Sequence, residues 1–335
     1  MDIEIGKREF LAGLAGLVII GGRGSNNGFW GGGTTTTGPR FESYSPTQPG
    51  GTGITVDLES YGTVAGGIES NDEKYLLTNR HVIDPDYPDS DPEELVGKDV
   101  MDSTGRVIAE VAEVSDDGED IATDWALLTV VDDLDWTSHV LGLPEIAGET
   151  QLEVGDRIAV SGATTGLVGG EITDVVEDRP GLGVLFPRLV EYRVDEDVDT
   201  GGNSGAWVGQ VDDNGEFQPV AIHTFRDDDD CFAVELDEIR EDIPLDVVSG
   251  GATPDALDGD EHPELVEGVV LSDKVVVSNT GGQSVQEREI SLYDPDTGDT
   301  VDTQTVTLDP LDVQVIDMEF THPVELDTGD VVRTT

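Results

Sequence analysis

The chain has 335 residues, with 73 acidic against 17 basic and a formal charge of −56, a balance that repels nucleic acid and anionic membranes and excludes them as partners. With 36% apolar residues it can bury cores for two or three compact units, which excludes a disordered chain. Cys231 is its one cysteine, so no intrachain disulfide can form.

The N-terminus places Lys7, Arg8, Glu9, Phe10 and Leu11 ahead of an apolar run over 11–20, then a Gly/Thr/Asn stretch to Gly38. This pattern predicts an export signal over 1–22, twin-arginine-like with lysine in the first place, and an extracellular or cell-surface location. The run is too short to span ~30 Å of hydrocarbon. Retained uncleaved, it would be the one route to membrane attachment. A Gly/Thr/Pro-rich linker is expected over 23–50.

From 51 to 247, short apolar runs separated by Gly, Asp and Pro turns predict an all-β region. Strands are expected over 54–58, 63–68, 75–78, 107–114, 125–131, 157–160, 171–176, 189–194, 206–211 and 220–225. The stretch 134–149 lacks alternation and reads as a joint between two β units. A short helix is expected within 239–247, and a linker over 248–263. Beyond it, strands over 269–278, 287–293, 301–308 and 313–320 read as a small immunoglobulin-like β-sandwich spanning 264–335. Asp294 to Asp299 has its glycine one place early for an EF-hand loop and reads as a hairpin turn.

The acids run along the whole chain, as in 194–199 and 211–216, in the manner of the solvated surface of a protein from an extreme halophile. At 1 M salt a Debye length of roughly 3 Å screens such self-repulsion. The acidic loops 84–94 and 227–230 read as solvated surface, with cation binding as the alternative. No cofactor or metal set is assigned.

Three segments carry the chemistry. Thr200 to Trp207 sets Ser204 on a turn where Gly201, Gly202 and Gly205 permit positive φ and let successive amides converge on one point. His81 follows the apolar run 76–78, and Asp124 precedes the apolar run 125–128. A serine hydroxyl needs an imidazole as base, and the imidazole needs a carboxylate to fix its tautomer. Asp120 is the rival acid; Asp124 is preferred because the strand continues from it. His139, His223, His262 and His322 lack a comparable setting.

The order His81, Asp124, Ser204, with 77–82, 124–128, 202–205 and the segment Gly162-Ala163-Thr164-Thr165-Gly166, resembles the chymotrypsin-like serine peptidases of bacteria and archaea. The resemblance covers about 50–247. It implies two six-stranded antiparallel barrels, about 51–135 and 150–247, with the site between them. It further implies His81 as general base, Asp124 as its orienter, Ser204 as nucleophile and the amides of Gly202 and Ser204 as oxyanion hole, with a peptide or protein as substrate.

By the same resemblance Asp199, Thr200, His223, Thr224 and Phe225 line the primary specificity pocket, with the Thr224 hydroxyl supporting Asp124. His223 suits an acidic substrate side chain, while Asp199 opposes one. Asn203 stands where many animal members have an aspartate that pairs with a new N-terminus, so activation by that ion pair is not expected. Ala206, with bulky Trp207 behind it, stands where the family more usually has glycine or serine and bears on packing beneath the nucleophile. The alternatives are an inactive barrel acting as a binding module, with the C-terminal domain engaging a partner or surface polymer, and an esterase using the same site.

Overall fold

Valine- and leucine-rich runs broken by Gly and Asp turns form twenty β-strands and two short α-helices among the described residues. The computed structural model describes residues 39–56, 61–117, 121–148, 150–195, 198, 200–260, 262, 264–272, 274–318, 320 and 324–328. The expected export signal, Leu58, Asp120, Asp199 and His322 lie outside them. No helix among the described residues is long and apolar enough to cross a membrane.

The first sheet contains β1 (Gly53–Thr55), β2 (Gly62–Thr63), β3 (Gly66–Ser70), β4 (Glu73–Thr78), β5 (Asp99–Asp102), β6 (Val107–Val114), β7 (Ala126–Val130) and the late β14 (Asp246–Val247). Its order is β14-β3-β4-β7-β6-β5-β1-β2, so it has eight strands where six were expected. The difference has two causes. One expected strand, 63–68, is broken at Val64 and Ala65 into β2 and β3, and β14 returns from far along the chain to pair with β3. Because β2 and β3 are successive stretches, the sheet curls until its ends nearly meet. Val64 N donates to Thr52 O on the β1 side, and Ala65 N donates to Leu77 O on the β4 side.

The second sheet closes fully. Strands β8 (Arg157–Gly162), β9 (Gly166–Gly181), β10 (Val184–Val194), β11 (Trp207–Val211), β12 (Phe217–Asp227) and β13 (Asp230–Glu235) form a six-stranded barrel, ordered β10-β13-β12-β11-β8-β9. Between the two lies a core of Leu77, Trp125, Leu127, Phe217 and Ile222 around Trp207, which is fully buried. Ala206 points into the closed barrel with Val208 and Ala221. Room for the Trp207 indole comes from Gly66, where a Cβ would sit 2.9 Å from its Nε1. The joint over 134–149 contributes Leu141, Leu143 and Ile146 to buried positions.

Helix α1 (Arg80–Ile83) is a single turn after β4, and α2 (Leu236–Asp242) begins earlier than expected. Leu236 and Ile239 anchor α2, and Pro244 stops its continuation.

The strand expected over 269–278 is a hairpin instead: β15 (Val266–Leu271) and β16 (Lys274–Asn279) turn between Leu271 and Lys274. With β17 (Val285–Tyr293), β18 (Thr300–Leu308), β19 (Val313–Asp317) and β20 (Glu325–Asp327) they form sheets ordered β15-β16-β19 and β18-β17-β20. These two sheets share a core of Val275, Val277, Ile290, Leu292 and Leu308, making a small β-sandwich. Its outer face does not stand apart, because Val269, Leu271 and Val276 join the core that runs between the barrels. Residues 40–50, read from the sequence as the end of a linker, include the buried Arg40, Tyr44, Thr47 and Gln48.

Candidate active site

His81 and Asp124 are brought together by the ends of two neighbouring strands. The α1 turn begins where β4 ends, and Asp124 lies two residues ahead of β7, which pairs with β4. Their contact is double: His81 Nδ1 lies 2.7 Å from Asp124 Oδ2, and the His81 amide donates to Asp124 Oδ1 at 2.9 Å. A carboxylate so placed fixes the imidazole proton on Nδ1 and leaves Nε2 as the basic nitrogen. The Asp124 side chain is fully buried, while that of His81 keeps 13% of its surface exposed.

The surroundings hold Asp124 by its backbone. Its carbonyl accepts from Asn79 Nδ2 at 2.9 Å and from the Arg80 amide at 3.2 Å. Its φ is 49°, a left-handed conformation uncommon outside glycine. Asp117 Oδ1 secures it, accepting from Thr123 N at 2.9 Å and Asp124 N at 3.3 Å. Asp117 Oδ2 accepts in turn from Ser115 Oγ at 2.7 Å and Tyr87 OH at 3.1 Å. Burial pushes the Asp117 carboxyl above the usual range, and the charge of Asp124 adds to this. Burial likewise raises the Tyr87 phenol. The buried Arg80 guanidinium lies over the Tyr87 ring and donates to Ser115 O at 2.8 Å. Neither Asp117 nor Tyr87 stands out in the sequence, whereas Asn79 lies within the 77–82 motif.

The Ser204 turn packs beside the α1 turn that carries His81, although the Ser204 hydroxyl donates to the Thr224 carbonyl at 3.0 Å and forms no hydrogen bond with His81. Closeness follows from Gly62, where a Cβ would overlap the Val82 side chain and meet Ser204 O at 3.0 Å. Gly202 and Gly205 have φ of +90° and +95°. A Cβ on Gly205 would run into the Thr63 carbonyl and the Thr78 hydroxyl. The turn leaves the Gly202 and Ser204 amides without a backbone acceptor among the described residues.

Asn203 is buried and fully engaged. Its Oδ1 accepts from Thr164 N at 3.1 Å and Thr165 N at 3.3 Å, and its Nδ2 donates to Thr165 Oγ1 at 2.8 Å. The carboxamide packs so closely on Gly162 that a Cβ there would overlap it. Thr63 closes the cradle: its Oγ1 donates to Gly202 O at 2.8 Å and accepts from Ala163 N at 3.0 Å, and its amide donates to Ser204 O at 2.7 Å.

Of the residues expected to line the specificity pocket, Thr200 and His223 are buried, and Phe225 stacks on Phe232 with centroids 4.9 Å apart. His223 Nδ1 lies 2.8 Å from Tyr192 OH, and burial lowers the His223 pKa to about 3. Thr224 corrects the sequence expectation. Its hydroxyl donates to Ile222 O at 3.2 Å and lies 3.5 Å from Asn79 Nδ2, so it supports the Asp124 backbone only through Asn79. Desolvation of the His139 imidazole lowers its pKa to about 4.

Some carboxylates of the acidic loops are paired. Asp84 pairs with Arg80 at 3.3 Å, Asp227 with Arg179 at 2.7 Å and Asp230 with Arg193 at 2.6 Å. Among the described residues no group of three or more His, Cys, Asp and Glu side chains is placed to hold a metal ion.

No protein-family model matches the chain, and no curated protein does either. Among solved structures it is similar to protease A of Thermobifida fusca, at 16% identity and a TM-score of 0.47, over 60% of this chain and 98% of that one. A glutamic acid-specific serine protease that uses a histidine triad in substrate binding gives 16% identity and a TM-score of 0.46, over 60% of this chain and 100% of the other. Cellulomonas bogoriensis chymotrypsin gives 16% identity and 0.44, over 60% and 98%.

Proposed function

We propose that the chain is a serine endopeptidase that works through an acyl-enzyme on Ser204. The observation that carries this reading is the double contact between His81 and Asp124, beside a glycine-built turn that presents one hydroxyl. Attack requires Ser204 Oγ to leave the Thr224 carbonyl and turn to His81 Nε2; resting sites often hold such contacts loosely.

Ser204 Oγ then attacks the scissile carbonyl carbon and its proton passes to His81 Nε2, leaving an imidazolium paired with Asp124. The carbonyl electrons move onto oxygen, where the amides of Gly202 and Ser204 receive them. Collapse of the tetrahedral adduct breaks the C–N bond, and the departing amine takes the proton from Nε2. Water repeats the sequence in reverse and releases the acid.

Asn203 gives the mechanism its own character. With both ends of its carboxamide satisfied by the 162–165 turn, the oxyanion turn needs no liberated ammonium to hold its shape. We read the −56 charge as adaptation to high salt and the N-terminal pattern as export, so the enzyme works outside the cell or at its surface.

Hydrolysis of a peptide library in molar KCl tests the reading. Cleavage that falls by several orders of magnitude in His81→Ala supports it; a folded wild type that cleaves neither peptides nor the matching esters overturns it. Esters cleaved without amides would mark an esterase.

A further inference from the structure

The nucleophile turn is braced by a contact 227 positions long in sequence: Arg40 and Glu267 form a two-pronged ion pair, Nη2 to Oε2 at 2.5 Å and Nε to Oε1 at 3.3 Å. Each is only 1% exposed. Arg40 belongs to the segment before the first sheet, and Glu267 lies on β15 of the sandwich. A buried pair of this kind is weak evidence of stability by itself. What it touches is more informative.

Arg40 Nη1 donates to Ser161 Oγ at 2.8 Å and to Gly51 O at 3.2 Å, and Nη2 donates to Leu141 O at 3.4 Å. Glu267 Oε1 presses on Gly166 so closely that a Cβ there would overlap it. Ser161 and Gly166 flank the 162–165 turn, where β8 passes into β9. From its other side that turn gives the Thr164 and Thr165 amides to Asn203, and Ala163 N to the Thr63 hydroxyl that holds Gly202 O. The 162–165 turn is therefore clamped between the ion pair and the oxyanion turn.

We propose that Arg40 and Glu267 are positioning residues for the oxyanion turn, so that the β-sandwich is a working part of the catalytic unit. The role in catalysis rests on the peptidase reading, whereas the bracing of the turn does not. Freed from the pair, the 162–165 turn loses its rigid back wall. Asn203, which it grips, then loses the constraint that keeps the Gly202 and Ser204 amides convergent. A fault in that geometry acts where transition-state charge develops, so it falls on kcat more than on KM.

Hydrogen exchange on the full chain in molar KCl tests this directly. In Glu267→Gln and Arg40→Met the amides of 163–165 and 201–205 should exchange at least about tenfold faster than in wild type, while those of β13 stay unchanged. Should Arg40→Met fail to fold, Arg40→Lys keeps the charge but loses the fork to Ser161 and Gly51, and should show the same pattern. The double variant Arg40→Met/Glu267→Met removes the uncompensated charge and should regain the thermal midpoint lost by either single variant, yet keep the fast turn exchange and a slow fluorophosphonate reaction. Wild-type exchange in the turn of the single variants overturns the proposal. So does a double variant in which turn exchange recovers together with the thermal midpoint, since that marks a purely structural pair. A wild type that does not react with the fluorophosphonate refutes the peptidase reading instead, and the exchange comparison still decides the bracing.

Discussion

Asp117 Oδ1 accepts hydrogen bonds from the amides of Thr123 and Asp124, so one buried carboxylate fixes the backbone from which another is aimed at His81. Asp124 occupies a left-handed conformation that this contact holds against its intrinsic preference. Asp117→Ala should therefore let the Asp124 carboxylate drift from His81 and lower kcat on the order of tenfold to a hundredfold, with little change in KM. Asp117→Asn keeps the Oδ1 acceptor and should retain most of the activity. Steady-state peptide hydrolysis on the two variants checks the ordering.

A second prediction concerns the start of the chain. Because Asn203 is satisfied by Thr164 and Thr165, deleting residues 1–38 should leave the rate of Ser204 acylation unchanged, while deletion through residue 40 removes Arg40 and should slow it. Asn203→Ala strands two amides and should reduce kcat by roughly tenfold or more. Acylation rates of the truncated and substituted chains measure both effects.

Gly205 has no room for a side chain: its φ is +95° and a Cβ would strike the Thr63 carbonyl. Gly205→Ala should destabilise the fold by at least about 2 kcal/mol. Denaturant unfolding in a fixed salt concentration reads the loss.

Two histidines whose imidazoles are shielded from water set an acid limit. Burial lowers the His139 pKa to about 4 and that of His223 to about 3, from 6.5 for a solvated imidazole. Below pH 6.5 the unfolded chain binds protons that the folded chain refuses. Their contribution to stability is thus complete above pH 6.5 and lost as the pH falls toward the folded values. His139→Leu should flatten the stability profile between pH 6.5 and 4 by up to about 1.4 kcal/mol per pH unit. Thermal unfolding across that range tests the slope.

The approach of His81 to Asp124 and the glycine-built turn at Ser204 were legible in the sequence because each sits in a short motif of distinctive residue types. The strands of the closed barrel were also legible where apolar alternation is unbroken, as in β8 and β11. Acidic residues hid others: β5 is bounded by Asp99 and Asp102, and β13 opens on Asp230 beside a run that reads as a solvated loop. In β15 and β16, valines on both sides of a tight turn looked like one long strand. Long-range partners leave no local mark at all. Nothing near Arg40 announces Glu267, and nothing near Asp117 announces that its carboxylate would hold Asp124.

The most direct test of the central claim is to locate a fluorophosphonate adduct by peptide mass spectrometry after reaction of the folded chain in molar KCl. A single adduct on Ser204, lost in Ser204→Ala and formed far more slowly in His81→Ala, is the predicted result. No adduct in the folded wild type, or one that persists on another serine in Ser204→Ala, would contradict it.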